Sequence, residues 1–231
     1  MVVRYFQAIR TFFRKPDPIE PLTRVQDIDR IYRRNRRSVL LSITIGYALM
    51  YTTRLPLAVI KKPLIDQGLF SPEQLGTIGQ WLFYGYALGK FVNGVLADHA
   101  NLKRFFAFGI LGSALVNFAM GSSATVWLWA LLWGLNGWFQ GFGAPTGAVS
   151  LSNWFGQKER GFYYGIWSTA HSLGEGLTFV GTSAIVGWLG WRYGFFGPAI
   201  LCVITAIVVY FSMKDRPESV GLPTVERWQD E

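Results

Sequence analysis

Six long apolar stretches dominate this sequence and limit the folds that it can adopt. They are Ser38–Ile60, Gln74–Ala97, Arg104–Ser122, Val126–Leu151, Arg160–Leu189 and Arg192–Met213. A helix that crosses a bilayer needs about 20 mostly apolar residues and satisfies its own backbone hydrogen bonds. The connections between the stretches are too short to hold a soluble domain. The sequence therefore predicts an all-α membrane protein with six transmembrane helices.

The segments that flank the six stretches are polar and short. We expect residues 1–37 to form a basic cytoplasmic segment, residues 38–213 the transmembrane bundle, and residues 214–231 a cytoplasmic linker or tail. Within the first segment, Val2–Phe13 alternates apolar residues with arginines, a pattern typical of a short helix lying on a membrane surface. A disordered basic tail fits the same residues, because helices this short are marginal in water.

The basic residues are distributed unevenly along the chain. The formal net charge is +8, and ten lysines and arginines precede the first apolar stretch. With the N-terminus inside, the cytoplasmic segments carry seventeen lysines and arginines and the outer segments three, while two lie within the stretches. Cytoplasmic loops of membrane proteins are enriched in these residues. The pattern predicts cytoplasmic N- and C-termini, and it accounts for the charge without a nucleic-acid partner.

Sequence motifs of common enzymes are absent. The sequence contains no phosphate-binding loop of the Walker type, no cluster of cysteines and histidines with metal-ligand spacing, and no Gly-x-Ser-x-Gly nucleophile motif. Its one cysteine, Cys202, lies in an apolar stretch and is interpreted as a small packing residue. We therefore expect a protein that is not an enzyme and that holds neither a cofactor nor a metal ion.

Ionisable residues inside the apolar stretches are the strongest functional candidates, because a charge near the centre of a bilayer is costly. On three predicted helices these residues share a face with aromatic residues, since positions four or seven apart lie together. The three sets are Tyr47, Tyr51 and Arg54; Tyr86 and Lys90; and Trp167, His171 and Glu175. Two cations and a histidine favour an anionic ligand, and a guanidinium fork suits phosphate or carboxylate. The sequence predicts an aqueous cavity that binds an anion.

Each of these residues also has a structural interpretation. Arg54 and Lys90 are close enough to the ends of their stretches to extend toward the membrane surface. His171 could be a packing histidine, and Glu175 could neutralise a neighbouring cation.

Glycines at four-residue spacing recur within the stretches. Small residues at this spacing let helix backbones approach closely. The pairs are Gly85 and Gly89, Gly137 and Gly141, Gly143 and Gly147, and Gly161 and Gly165. We interpret them as packing positions of a compact bundle.

The loop between the second and third stretches carries a recognisable motif. It reads Gly94-Val-Leu-Ala-Asp98 and continues to Lys103 and Arg104. This resembles the cytoplasmic gating-loop motif of major facilitator superfamily transporters. Further motifs, in the same order, resemble the organophosphate:phosphate antiporters of that superfamily, which include glycerol-3-phosphate and hexose-phosphate transporters and the sensor UhpC. They are Gly46-Tyr47 with Tyr51 and Arg54, Gly89-Lys90-Phe91, Trp138 to Gly143, Lys158 to Gly161, Ala170-His171, and Asp215 to Pro223.

This resemblance covers nearly all of residues 30–231 and implies a fold and a mechanism. The fold would be the N-terminal six-helix half of the superfamily, built from two inverted three-helix repeats. The protein would exchange a phosphorylated substrate for inorganic phosphate by alternating access in the bacterial inner membrane. A second six-helix half, either a C-terminal half or another copy, would complete the cavity. Arg54 would grip the phosphoryl group, with a substrate-binding set of Lys90, His171, Tyr47, Tyr51, Tyr86, Trp167 and Gln140.

Four features depart from the pattern of these antiporters. The chain has about half their length, and Leu55 and Val149 stand where they often carry basic residues. Glu175 adds an acid in a stretch that they usually keep rich in glycine, where it would be a charge partner. Two alternatives stay open: a transporter-like sensor of sugar phosphate that signals to a partner kinase, and an inactive truncated half.

Overall fold

The protein is described by a computed structural model, which covers residue 7, residues 11–19 and residues 25–229. Most of the predicted surface helix Val2–Phe13 lies outside these residues. The described chain is helical, with one isolated β-bridge between Arg14 and Ala100. The helices are α1 Val25–Tyr51, α2 Pro56–Asp66, α3 Pro72–His99, α4 Leu102–Ser122, α5 Val126–Gln140, α6 Gly143–Trp154, α7 Gln157–Leu177, α8 Ser183–Leu189, α9 Tyr193–Ser212 and α10 Val225–Gln229.

The first predicted span is built from two helices joined by a short turn. Helix α1 ends at Tyr51 and α2 begins at Pro56, which has no backbone N–H and is best placed in the first turn of a helix. The intervening turn contains Arg54, whose backbone N–H donates to the Tyr51 carbonyl at 2.9 Å. Helix α1 also begins well before Ser38, the predicted start of the span.

The fourth and fifth predicted spans are also interrupted. Residues 141 and 142 separate α5 from α6, and Pro145 is tolerated because it lies in the first turn of α6. In the fifth span, the π-helical turn Thr178–Thr182 joins α7 to α8. Such π turns inside α-helices are frequent at functional sites. This turn begins one residue after α7 ends, close to Glu175.

The length and composition of three helical stretches in the described chain support membrane crossing. Three helical stretches, Asp27–Asp66, Leu102–Ser122 and Tyr193–Ser212, are long and apolar enough to span a bilayer. In the predicted span Val126–Leu151, helix α5 has only 15 residues, and α3 and α7, in two other predicted spans, carry many glycines and polar residues. Large apolar side chains also point outward, including Phe91, Trp188 and Phe211. An exposed apolar surface of this kind suits contact with lipid or another apolar partner.

Glycines permit the closest helix contacts in the bundle. A Cβ on Gly85 would collide with the backbone of Gly134, and a Cβ on Gly137 would collide with the backbone of Leu82. The α3 and α5 backbones are therefore in direct contact, as predicted from the glycine spacing. The prediction is wrong for the last pair, since a Cβ on Gly161 or Gly165 would meet nothing within 4 Å.

A buried polar cluster holds the turn between α1 and α2. The Thr53 carbonyl accepts hydrogen bonds from Asn136 Nδ2 at 2.8 Å and from Asn117 Nδ2 at 3.0 Å. Ser113 Oγ donates to Asn136 Oδ1 at 2.5 Å. A broken helix leaves carbonyl groups without intrahelical partners, and inside a membrane protein these need side-chain donors. The cluster supplies such donors and thereby fixes the turn that carries Arg54.

Candidate anion-binding site

Arg54 lies against aromatic side chains from two helices. Its Nη1 donates to the Tyr51 hydroxyl at 3.2 Å. The guanidinium carbon is 4.2 Å from the ring centroid of Tyr86 on α3 and 5.1 Å from that of Tyr51. Cations are attracted to aromatic faces at such distances. These contacts hold the guanidinium at the bundle surface between α1 and α3.

Lys90 places a second cation beside the same aromatic residue. Its ammonium is 5.9 Å from the ring centroid of Tyr86, so this ring contacts both cations. Lys90 is exposed, whereas Tyr86 and Arg54 are half-buried. The two charges therefore lie near the same ring, and Lys90 is the more exposed of the two.

The third part of the site comes from α7. The His171 ring centroid is 4.6 Å from that of Tyr51, and His171 Nε2 is 3.4 Å from Glu175 Oε1. The side chains of His171 and Glu175 are 52% and 43% exposed, so this pair lies on an open surface. On the next turn, Trp167 stacks on Tyr47 with 5.5 Å between ring centroids. The aromatic rings connect α7 to α1.

We call this set of residues the Arg54 face. It comprises Tyr47, Tyr51, Arg54, Tyr86, Lys90, Trp167, His171 and Glu175. Within the described part of the chain, Tyr51 is the hydrogen-bond acceptor found for the Arg54 side chain, so the other N–H groups of the fork can bind an anion. The face offers two cations, a histidine and one carboxylate. The three polar stripes seen in the sequence thus meet at one place.

Gln140 is located elsewhere. Its side chain is buried, and its Nε2 donates to the Met50 carbonyl at 3.1 Å and to Ser113 Oγ at 2.9 Å. These partners lie on α1 and α4, so the side chain is part of the buried polar cluster. Gln140 thus supports the turn that carries Arg54, and its role in substrate binding stays a prediction.

The gating-loop motif lies at the junction of α3 and α4. The Asp98 carbonyl accepts from Arg216 Nη2 at 2.7 Å, and Arg104 Nη1 donates to the Phe12 carbonyl at 2.8 Å. The Lys103 ammonium is 5.1 Å from the ring centroid of Tyr210. A Cβ on Gly94 would meet nothing within 4 Å. The motif therefore links α4 to segments on both sides of it in the chain, and its gating role stays a prediction.

Two structural contacts near the chain termini were not identified from the sequence. Asp215 accepts a hydrogen bond from the Leu102 N–H at 2.6 Å and so caps α4. Burial raises the pKa of the Asp215 carboxyl, and this hydrogen bond offsets the effect only in part. Arg36 forms an ion pair with Glu159, which also accepts from Gln229 Nε2 at 2.7 Å. These contacts tie the C-terminal segment to the start of the bundle.

The structure defines a helical integral membrane protein with a polar, partly cationic face. The chain belongs to the Major Facilitator Superfamily, whose family model matches residues 38–229. The described fold is the six-helix half of that superfamily's architecture.

Several relatives align with almost the whole chain. It is 37% identical to the "Probable hexose phosphate transport protein" of Chlamydia pneumoniae, covering 94% of this chain and 48% of that protein. It is 35% identical to the "Glycerol-3-phosphate transporter" of Haemophilus influenzae, with coverage of 94% and 48%. It is 33% identical to the "Membrane sensor protein UhpC" of Escherichia coli K12, with coverage of 94% and 50%. The chain thus spans about half the length of these relatives.

A solved structure shares the fold. The bacterial homologue of the human lysosomal transporter Spinster, in an inward-facing and unoccupied conformation, matches with a TM-score of 0.68. The two chains are 18% identical, and the match covers 80% of this chain and 44% of the other. At this identity the likeness establishes the fold alone.

Proposed function

We propose that this chain forms half of a secondary transporter for phosphorylated organic anions such as hexose phosphate or glycerol 3-phosphate. The observation that carries the proposal is that Arg54 and Lys90 both lie within 6 Å of the Tyr86 ring centroid, at an open face of the bundle. The printed functions of the hexose phosphate and glycerol-3-phosphate relatives support the same substrate class.

The residues of the Arg54 face take different roles in this proposal. The Arg54 fork binds two oxygens of the phosphoryl group, and Lys90 adds a point charge. Two unit charges 4 Å apart interact by about 4 kcal/mol at an effective dielectric constant of 20, so two cations outweigh the carboxylate of Glu175 at similar distances. Glu175 holds the His171 ring through its contact with Nε2. Tyr47 and Trp167 form an aromatic wall for the organic part of the substrate.

A second six-helix half completes the cavity, because the Arg54 face is open and the relatives are about twice as long. That half is either a C-terminal six-helix half or a second copy of this chain. The two halves alternate access to the site, exchanging the organic phosphate for inorganic phosphate. The excess of basic residues in the predicted inner segments supports cytoplasmic termini in the bacterial inner membrane.

A second candidate function is sensing of a sugar phosphate. The observation that favours it is the 33% identity to a membrane sensor protein over 94% of this chain. A sensor and a transporter can share one binding site and differ in whether bound ligand crosses the membrane.

Proteoliposome exchange separates these functions. Vesicles that contain the protein and are loaded with phosphate are exposed to labelled glucose 6-phosphate or glycerol 3-phosphate. We expect labelled substrate to enter only when phosphate is inside, and Arg54→Gln to abolish entry, while the exposed-residue control Arg227→Gln leaves it unchanged. Binding without entry would favour the sensor. Exchange at the full rate in Arg54→Gln would contradict the role of Arg54.

A further inference from the structure

A small cavity lies at the N-terminal end of the bundle, away from the Arg54 face. Its volume is about 220 Å³, and it is formed by α1, the loop before α7 and the first turns of α7. The lining residues are Arg33, Arg36, Arg37, Leu40, Phe155 and Tyr163. The volume is below the roughly 300–1,000 Å³ of pockets for drug-sized ligands, so the cavity suits a small chemical group.

One of its three arginines is already neutralised. Arg36 pairs with Glu159, and its guanidinium carbon is 4.5 Å from the ring centroid of Phe155. Burial acts to raise the pKa of the Glu159 carboxyl, but hydrogen bonds from Arg36 and Gln229 outweigh it and lower the pKa. Glu159 is therefore ionised at neutral pH and balances the charge of Arg36. The pair and its aromatic neighbours form the fixed floor of the cavity.

The other two arginines keep their charge. Arg33 and Arg37 are exposed, and no carboxylate of the described residues forms an ion pair with either of them. They lie four positions apart on α1, so their side chains are neighbours on one helix face. Like charges at this spacing repel each other, and a shared anion relieves that repulsion.

We infer that this cavity binds a phosphate group between Arg33 and Arg37. A phosphate presents several oxygens to planar guanidinium forks, and arginine is the residue best suited to such bidentate contacts. Leu40 and Tyr163 provide an apolar side for whatever carbon group the phosphate carries. The floor pair Arg36–Glu159 positions these walls without adding net charge.

This second site is spatially distinct from the Arg54 face. Arg33, Leu40 and Tyr47 follow one another at intervals of seven positions, so the cavity lies on the same side of α1 as the Arg54 face. From Arg33 to Tyr51 the helix rises about 27 Å, since each residue adds about 1.5 Å. The inference does not depend on the proposed function, because removal of either site leaves the other intact.

The phosphate group can come from two sources. A phosphorylated solute in water could bind here, on the side of α1 that leads to Tyr51 and Arg54. A phospholipid headgroup could also bind, because the predicted apolar span starts at Ser38 and the exposed Leu41 lies one turn beyond Arg37. Basic pockets at the ends of membrane helices bind anionic headgroups in this way.

The experiment uses the full chain in lipid nanodiscs. The double variant Arg33→Gln/Arg37→Gln is compared with Arg34→Gln/Arg227→Gln, which removes the same charge from exposed arginines that do not line the cavity. Arg54→Gln is tested in parallel. In the first arm, labelled inorganic phosphate is titrated into nanodiscs of phosphatidylcholine. In the second arm, mixed nanodiscs are formed and phosphatidylglycerol retained by the purified protein is quantified. Circular dichroism confirms equal helix content in every variant.

The outcomes separate the two sources. For a solute, phosphate binding persists in Arg54→Gln, and combining Arg33→Gln/Arg37→Gln with Arg54→Gln weakens this remaining binding at least about tenfold, as expected for the loss of charge-assisted hydrogen bonds. For a lipid, phosphate binding does not change, but phosphatidylglycerol retention falls in the same double variant and not in its control. Equal behaviour of the two double variants in both arms would overturn the inference. If Arg54→Gln binds phosphate as the wild type does, that result counts against the proposed function and leaves the inference about the cavity unchanged.

Discussion

The contact between α3 and α5 gives a sharp test of the fold. A Cβ on Gly89 would lie 2.8 Å from the Trp138 carbonyl oxygen and 2.9 Å from the Trp138 Cα. Ordinary Cβ contacts begin at 3.4 Å, so the helices would have to separate by about 0.6 Å. Both contacted atoms are backbone and cannot rotate away. On the same helix, a Cβ on Gly79 would meet nothing within 4 Å.

These distances predict that the same glycine-to-alanine substitution changes the free energy of unfolding in opposite directions at the two positions. Alanine favours a helix interior over glycine by about 0.5–1 kcal/mol, and this gain applies at both positions. Overpacking a close contact costs about 1–3 kcal/mol and applies only at Gly89. We expect Gly79→Ala to raise the free energy of unfolding by about 0.5–1 kcal/mol, and Gly89→Ala to lower it by up to about 2 kcal/mol.

The assay is equilibrium unfolding in mixed micelles with increasing dodecyl sulfate, followed by circular dichroism. Because Gly89 precedes Lys90, we also expect weaker phosphate binding in Gly89→Ala than in Gly79→Ala. Equal unfolding free energies for the two variants would refute the close helix contact and the reasoning built on it.

Two further predictions concern polar contacts outside the Arg54 face. We expect Asn136→Leu to destabilise the bundle by about 1–3 kcal/mol, because it removes a buried donor to the Thr53 carbonyl and an acceptor of the Ser113 hydroxyl; unchanged unfolding would contradict the polar cluster. The pKa of Glu159 is lowered from its usual 4.5, so its contribution is fully present above pH 4.5 and is lost as pH falls through the folded-state pKa. The difference in unfolding free energy between the wild type and Glu159→Gln should therefore shrink in that acidic window, and a difference independent of pH would argue against the Arg36 ion pair.

Helical periodicity explains why the Arg54 face could be anticipated. Positions four or seven apart share a face, so Tyr47 with Arg54, Tyr86 with Lys90 and His171 with Glu175 could each be grouped on one predicted helix. The cost of charge in a bilayer then indicates that these faces turn toward one another rather than toward lipid.

Three other features of the structure could not be predicted from the hydropathy pattern or from helical spacing. Pro56 breaks the first span, but the apolar run continues through the break and suggested one helix. Gln140 lies in a motif typical of the family, yet its side chain is buried and donates to Met50 and Ser113, contacts that sequence spacing does not reveal. The pair formed by Arg36 and Glu159 joins residues 123 positions apart, and no spacing rule connects such residues.

The central claim is that Arg54 binds the phosphoryl group of a ligand on the open face of the bundle. Its most direct test is equilibrium binding of labelled glycerol 3-phosphate to the chain in neutral nanodiscs, with inorganic phosphate as competitor. We expect binding to weaken at least about tenfold in Arg54→Gln, and less in Arg54→Lys, which keeps the charge and loses the fork. Arg227→Gln should bind as the wild type does. Unchanged affinity in a folded Arg54→Gln protein would contradict the account.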